Sequence, residues 1–87
     1  ALRWFRLAAD QGEALAQTKI AIMYDDGQGV PHDIVQAYKW YSLAATNGDK
    51  PAAELRDTIA NQMTPAQIAE AQKLAREWKP KTPSAPR

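Results

Sequence analysis

Residues 1–12 read ALRWFRLAADQG and residues 37–48 read AYKWYSLAATNG, one pattern written twice with Trp4 and Trp40 spaced 36 residues apart. The leading alanine, the tryptophan, the leucine, the paired alanines and the closing glycine are identical in the two copies. Arg3/Lys39 and Phe5/Tyr41 keep charge and aromatic character. A period of this size marks a stacked repeat, in which one supersecondary unit cannot bury its apolar face alone and needs a neighbour. The two tryptophans are therefore expected to be structurally equivalent, each wedged inside its own helical hairpin.

The stretch between the copies carries a second helical pattern, roughly Glu13 to Asp26. Ala16, Ile20, Met23 and Tyr24 fall on one stripe at helical spacing. Gly12 is placed to end the preceding helix, and Gly27-Gln28-Gly29-Val30-Pro31 to stop this one. The next helix is expected from about Asp33, a good N-cap acceptor, to Asn47. On its wheel Ile34, Ala37, Tyr38, Trp40, Tyr41, Ala44 and Ala45 share a broad face opposite Lys39, Ser42 and Thr46.

After Gly48, Asp49 is placed to cap a fourth helix with Pro51 in its first turn and Ala52, Leu55 and Ile59 as its buried stripe. Thr64-Pro65-Ala66-Gln67 starts a fifth: threonine N-cap, proline at the first helical position, and a glutamine positioned for a capping box. Met63 and Ile68 flank that cap as a hydrophobic staple would require. Ile68, Ala71, Leu74, Ala75 and Trp78 form the apolar face. Five helices and no strand give an all-α fold, an α-solenoid of about two helix pairs plus a capping helix. The expected divisions are a first repeat over 1–32, a second over 33–63, the capping helix over 64–78, and a disordered Pro/Lys tail over 79–87.

Composition narrows the function. The formal charge is +1, but Lys79, Lys81 and Arg87 stand in the tail without an acid, leaving eight basic residues against ten acidic ones elsewhere. That balance lacks the concentrated basic footprint of a nucleic-acid groove. No apolar run approaches the roughly 20 residues of a membrane span, so no insertion is expected. The absence of cysteine removes disulfides and thiolate–zinc sites.

Chemistry is thinly supplied. The single histidine, His32, adjoins Asp33 in a loop, with no nucleophile or second ligand beside it in sequence. Asp25-Asp26-Gly27-Gln28-Gly29 lacks the alternating oxygen ligands and closing glutamate of a calcium loop. Gly27-Gln28-Gly29 follows a helix, not a strand, and lacks the third glycine of a nucleotide fingerprint. No catalytic, metal or cofactor residue is assigned, and the chain is expected not to be an enzyme.

The motif A-x-x-W-[FY]-x-x-A-A-x-x-G is carried by Ala1, Trp4, Phe5, Ala8, Ala9 and Gly12. It is followed by Ala16, Gln17, Ile20, Ala21, Met23, Tyr24, Gly27, Gly29, Val30 and Asp33. Together they resemble the Sel-1-like repeat, a relative of the tetratricopeptide repeat, over about residues 1–60. Two positions depart from it: Ala21 stands where the family usually has glycine, and residues 50–61 lose the Met-Tyr and glycine-loop signature. Residues 64–78 resemble the closing helix often found after the last repeat in bacterial members. With no cap before Ala1, the chain reads as the C-terminal piece of a longer, bacterial-type array. The resemblance implies an adaptor that assembles other proteins, in signalling, protein quality control or bacterial envelope and host-interaction roles.

A scaffold of this kind meets its partners through the inward-lining first helices of its pairs. The outward positions there are Arg3, Arg6 and Asp10 in the first copy, and Lys39, Ser42 and Thr46 in the second. Arg3, Arg6 and Lys39 make a mildly basic strip suited to an acidic protein or peptide, and an ordinary solvated face is the plainer reading of the same residues. The recurring aromatics Trp4, Trp40, Tyr24, Tyr41 and Trp78 read as core. Tyr38, at the edge of the polar arc, is the one aromatic expected to be able to touch a ligand. The candidate partner face is thus Arg3, Arg6, Tyr38, Lys39, Ser42 and Thr46. Two other functions fit the same residues: a regulatory segment of a multidomain enzyme, and an envelope-polymer or peptidoglycan binder using Tyr38 and the basic strip. Unpartnered, the helix bearing Trp4 and Phe5 should expose apolar surface and favour self-association.

Overall fold

The computed structural model describes residues 2–78, and the tail expected to be disordered lies outside them. Five α-helices follow one another through short turns: α1 (Leu2–Asp10), α2 (Ala14–Asp26), α3 (Ile34–Thr46), α4 (Lys50–Ala60) and α5 (Pro65–Glu77). No strand occurs among the described residues. The α-solenoid architecture read from the repeat is the one observed.

The helix boundaries follow from local chemistry. Gly27 takes a left-handed conformation (φ 70°) that ends α2, and its amide donates to the Met23 carbonyl. Asp33 caps α3 by accepting from the amides of Val35 and Gln36. Thr64 and Gln67 form the expected capping box: the threonine hydroxyl accepts from the Gln67 amide, and the Gln67 side chain accepts from the Thr64 amide. Asp49 departs from expectation. It stands at the N-cap of α4 but makes no side-chain cap bond; its carboxylate accepts the Thr18 hydroxyl instead and ties the start of α4 to α2.

Packing centres on α3, which has α2, α4 and α5 as neighbours. Ala37, Tyr38, Trp40, Tyr41, Leu43 and Ala44 are all buried, so the helix is covered on more than the one face that its wheel suggested. Helix α1 packs chiefly on α2. This difference overturns the expected equivalence of the two tryptophans. Trp40 is 1% exposed, whereas Trp4 is 63% exposed and does not belong to the core. Leu43 and Leu7, also one period apart, are 7% and 60% exposed. The local sequence is the same, but the number of neighbouring helices is not.

Helix α5 does not continue the stack on α4. It turns back onto α3. One period on from the fully buried Ala21 of α2 stands Asp57, and one on from Ile22 stands Thr58. The face with which α2 packs on α3 is thereby made polar in α4, and a following helix gains little by docking there. Leu55, expected in the buried stripe of α4, is consequently exposed, while Ala52 and Ile59 are buried as expected.

Candidate functional site

The C-terminal ends of α1, α3 and α5 come together at one end of the molecule. Trp78, where α5 stops, stands edge-on to Trp40 with ring centroids 6.3 Å apart. Its Cη2 would lie 3.8 Å from a Cβ built on Gly12. Gly12 has φ 95°, so the residue that closes α1 must accept a left-handed backbone beside the indole of α5. Gln17 ties the same ends from below. Its amide is fully buried, donating to the Ala9 carbonyl at 3.1 Å and accepting from the Asn47 side chain at 3.0 Å.

Between α3 and α5 lies a cleft of about 330 Å³ lined by Ser42, Leu43, Thr46, Asn47, Ala75, Arg76 and Trp78. Two residues of the expected partner face, Ser42 and Thr46, are in its wall. Sequence reasoning missed Arg76, Asn47 and the role of Trp78. Their helical spacing shows that a face exists, but only the path of α5 over α3 brings them opposite Ser42.

The basic residues converge in part. Arg6 and Lys39, on different helices, sit close enough for mutual repulsion. Burial first, and then the Arg6 guanidinium, holds the Lys39 ammonium below the usual lysine range, with Asp10 acting in the opposite sense. The Lys39 Nζ stands 4.5 Å from the centroid of the Trp40 ring. Arg6 also donates to the Tyr24 hydroxyl at 3.3 Å. Arg3 is exposed on α1. Among the described residues the ion pair is Arg56–Asp57, so Arg3, Arg6 and Lys39 have no carboxylate within pairing distance there.

Tyr38 is placed differently from expectation. It is 7% exposed, and its hydroxyl accepts from the Gln72 side chain of α5 at 3.4 Å. The covering helix removes it from the surface a ligand could reach. Below this region, the Tyr41 hydroxyl is pushed up to about 12 by burial and by the carboxylates of Asp25 and Asp26. His32 is exposed in its loop, and the neighbouring Asp33 carboxylate is engaged in capping α3. Among the described residues no cluster of His, Cys, Asp or Glu is grouped to hold a metal, and no helix is long and apolar enough to cross a membrane.

The Sel1 repeat matches residues 1–13 and 14–49, more than half of the chain. The chain belongs to the Sel1 repeat family. The matched unit 14–49 runs through α2, the Gly27–Asp33 loop and α3, which is the tightly packed heart of the fold. Similar proteins include the DAP3-binding cell death enhancer 1 of Rattus norvegicus, 34% identical over 61 residues that make up 70% of this chain and 12% of the relative. The chitin synthase regulator SKT5 of Malassezia restricta is 33% identical over 57 residues, 66% of this chain and 4% of its own length. An exopolysaccharide production negative regulator of Rhizobium leguminosarum bv. viciae is 39% identical over 54 residues, 62% of this chain and 20% of its own. The chain thus spans no more than about a fifth of any of these three relatives. Sel1 repeat proteins generally mediate protein–protein interaction and are typically non-catalytic regulators or adaptors.

Proposed function

We propose that this chain is a protein-interaction module with no catalysis of its own, and that the side of α1 and α3 bearing Arg3, Arg6 and Lys39 takes an acidic segment of a partner protein. The observation that carries this reading is the approach of Arg6 to Lys39 across two helices. Like charges held together at a half-buried position are relieved when a carboxylate arrives, and guanidinium–carboxylate bonds add direction to that attraction. The cleft by Ser42, Thr46 and Arg76 continues the surface with apolar walls from Leu43 and Trp78, so a side chain next to the acidic group has a place to bury itself. Regulators among the relatives agree with a part that acts by binding.

An envelope-polymer binder needs an aromatic platform for sugar stacking, and Tyr38, the residue that would supply it, is covered by α5. That weakens the polymer reading and leaves the protein reading ahead. The test is a double charge reversal, Arg3→Glu with Lys39→Glu, compared with wild type in co-purification from the source cell. Thermal unfolding of both proteins checks that the fold is kept. Partner proteins should be lost, or should demand much lower salt to stay bound. Undiminished partner binding by a folded double variant would remove this assignment of the surface.

A further inference from the structure

Helix α5 is seated unlike the others. Its main neighbour is α3, it scarcely meets α4 to which it is joined, and Ala71 is its one fully buried residue. Helix α2 buries five residues and α3 six. Its contact face has a regular chemistry: Ile68, Ala71, Ala75 and Trp78 recur at helical spacings of three and four. The two alanines allow close approach to α3, Gln72 donates to Tyr38, and Trp78 closes the row against Trp40 and Gly12. What α5 covers is therefore a groove over α3, walled by Tyr38, Leu43 and the Trp40 edge.

We propose that this groove is a helix-binding surface, that α5 fills it in cis, and that its partner in trans is an amphipathic helix presenting the α5 pattern. The pattern is an aliphatic residue, two small residues four apart and a terminal aromatic. The shallow seat makes α5 the unit that opens first, because local opening follows the number of buried apolar contacts. The short Asn61–Met63 turn lets it swing without disturbing α1–α4, and Asp57 and Thr58 keep it from settling on α4. Occupancy by a tethered helix also sets a threshold. A segment joined by a few residues acts at an effective concentration on the order of millimolar, so a free competitor at micromolar levels loses to it unless α5 is displaced. The groove rests on the interaction reading above but uses different residues from the basic strip.

The test uses the full chain and a labelled synthetic peptide of residues 64–78 as probe. Ala71→Arg places a side chain where no exposed surface exists and should eject α5. The peptide should then bind the variant at least about ten-fold more tightly than it binds wild type, the factor by which cis occupancy lowers apparent affinity. Circular dichroism should show the loss of one helix and no more. In wild type, hydrogen exchange should release the α5 amides through an opening that leaves α2 and α3 protected. Exchange of α5 in step with α2 and α3, or an ejected variant that ignores the peptide, would overturn the proposal. Collapse of the whole fold in Ala71→Arg would count against it too, because α5 would then be part of one cooperative core. Failure of the peptide leaves the charge-reversal result at Arg3 and Lys39 untouched, so the two readings fall separately.

Discussion

Gln17 has no exposed surface, and both ends of its amide are engaged, one at the last turn of α1 and one at the end of α3. Replacing it with leucine keeps the bulk but strands the Ala9 carbonyl and the Asn47 amide; a loss of about 1–3 kcal/mol is expected, read from urea unfolding. The sequence placed Gln17 in a motif without saying why. A glutamine between apolar residues signals a buried bond only after its two partners are known, and both lie many residues away. The tryptophans make the complementary case. Trp40→Ala should cost about 3–5 kcal/mol, as large aromatic truncations in a core do, while Trp4→Ala should stay within about 1 kcal/mol. Equal losses would mean that the two indoles share an environment after all. Tyr41 adds a pH dependence. Its folded value, about 12, lies above the ordinary 10, so the stability it supplies is complete below pH ~10 and drains away as pH climbs to ~12. Tyr41→Phe should flatten the fall in melting temperature across that window relative to wild type, and parallel curves would contradict the assignment.

Among the elements, boundaries were the most legible part of the chain, since Gly27, Asp33 and the Thr64–Gln67 box impose them locally. Thr64→Ala should weaken α5 by about 1 kcal/mol through the lost cap. The effect should appear as faster hydrogen exchange confined to α5, and a uniform change over all helices would speak against its separate seating. What stayed hidden is which element each apolar stripe meets. Ala52, Leu55 and Ile59 fit one stripe, yet Leu55 is exposed because no helix follows onto α4. Ile68, Ala71 and Trp78 were correctly read as a packing face, but periodicity names a face and not its neighbour. The same gap explains Tyr38, whose position at the rim of a helical wheel meant exposure only while α5 was taken to lie elsewhere. Asp49 was a sound N-cap by type, and a hydroxyl on α2 competed successfully for its carboxylate.

At the scale of the whole molecule, the repeat itself delivered the architecture, because a 36-residue period fixes helix pairs and their stacking together. The unevenness of the stack is the part that period alone leaves open. Trp4, Leu7 and Leu15 remain exposed on α1 and α2, a patch well short of the ~800 Å² per partner of a standard interface. Self-association should therefore be weak and concentration-dependent in sedimentation velocity, and Trp4→Glu with Leu7→Glu should abolish it. The candidate site was partly legible for a related reason: charge and spacing located Arg6 and Lys39 on outward positions, while the cleft needed a third helix whose course no local signal records.

The account stands or falls on where another protein touches this one. Photoreactive amino acids introduced singly at Arg3 and Thr46, with Asp57 on the polar side of α4 as the control position, read that contact directly in the source cell. The account predicts cross-links to a shared protein from positions 3 and 46 and none to it from position 57. Capture of that protein from position 57, with positions 3 and 46 silent, would contradict it.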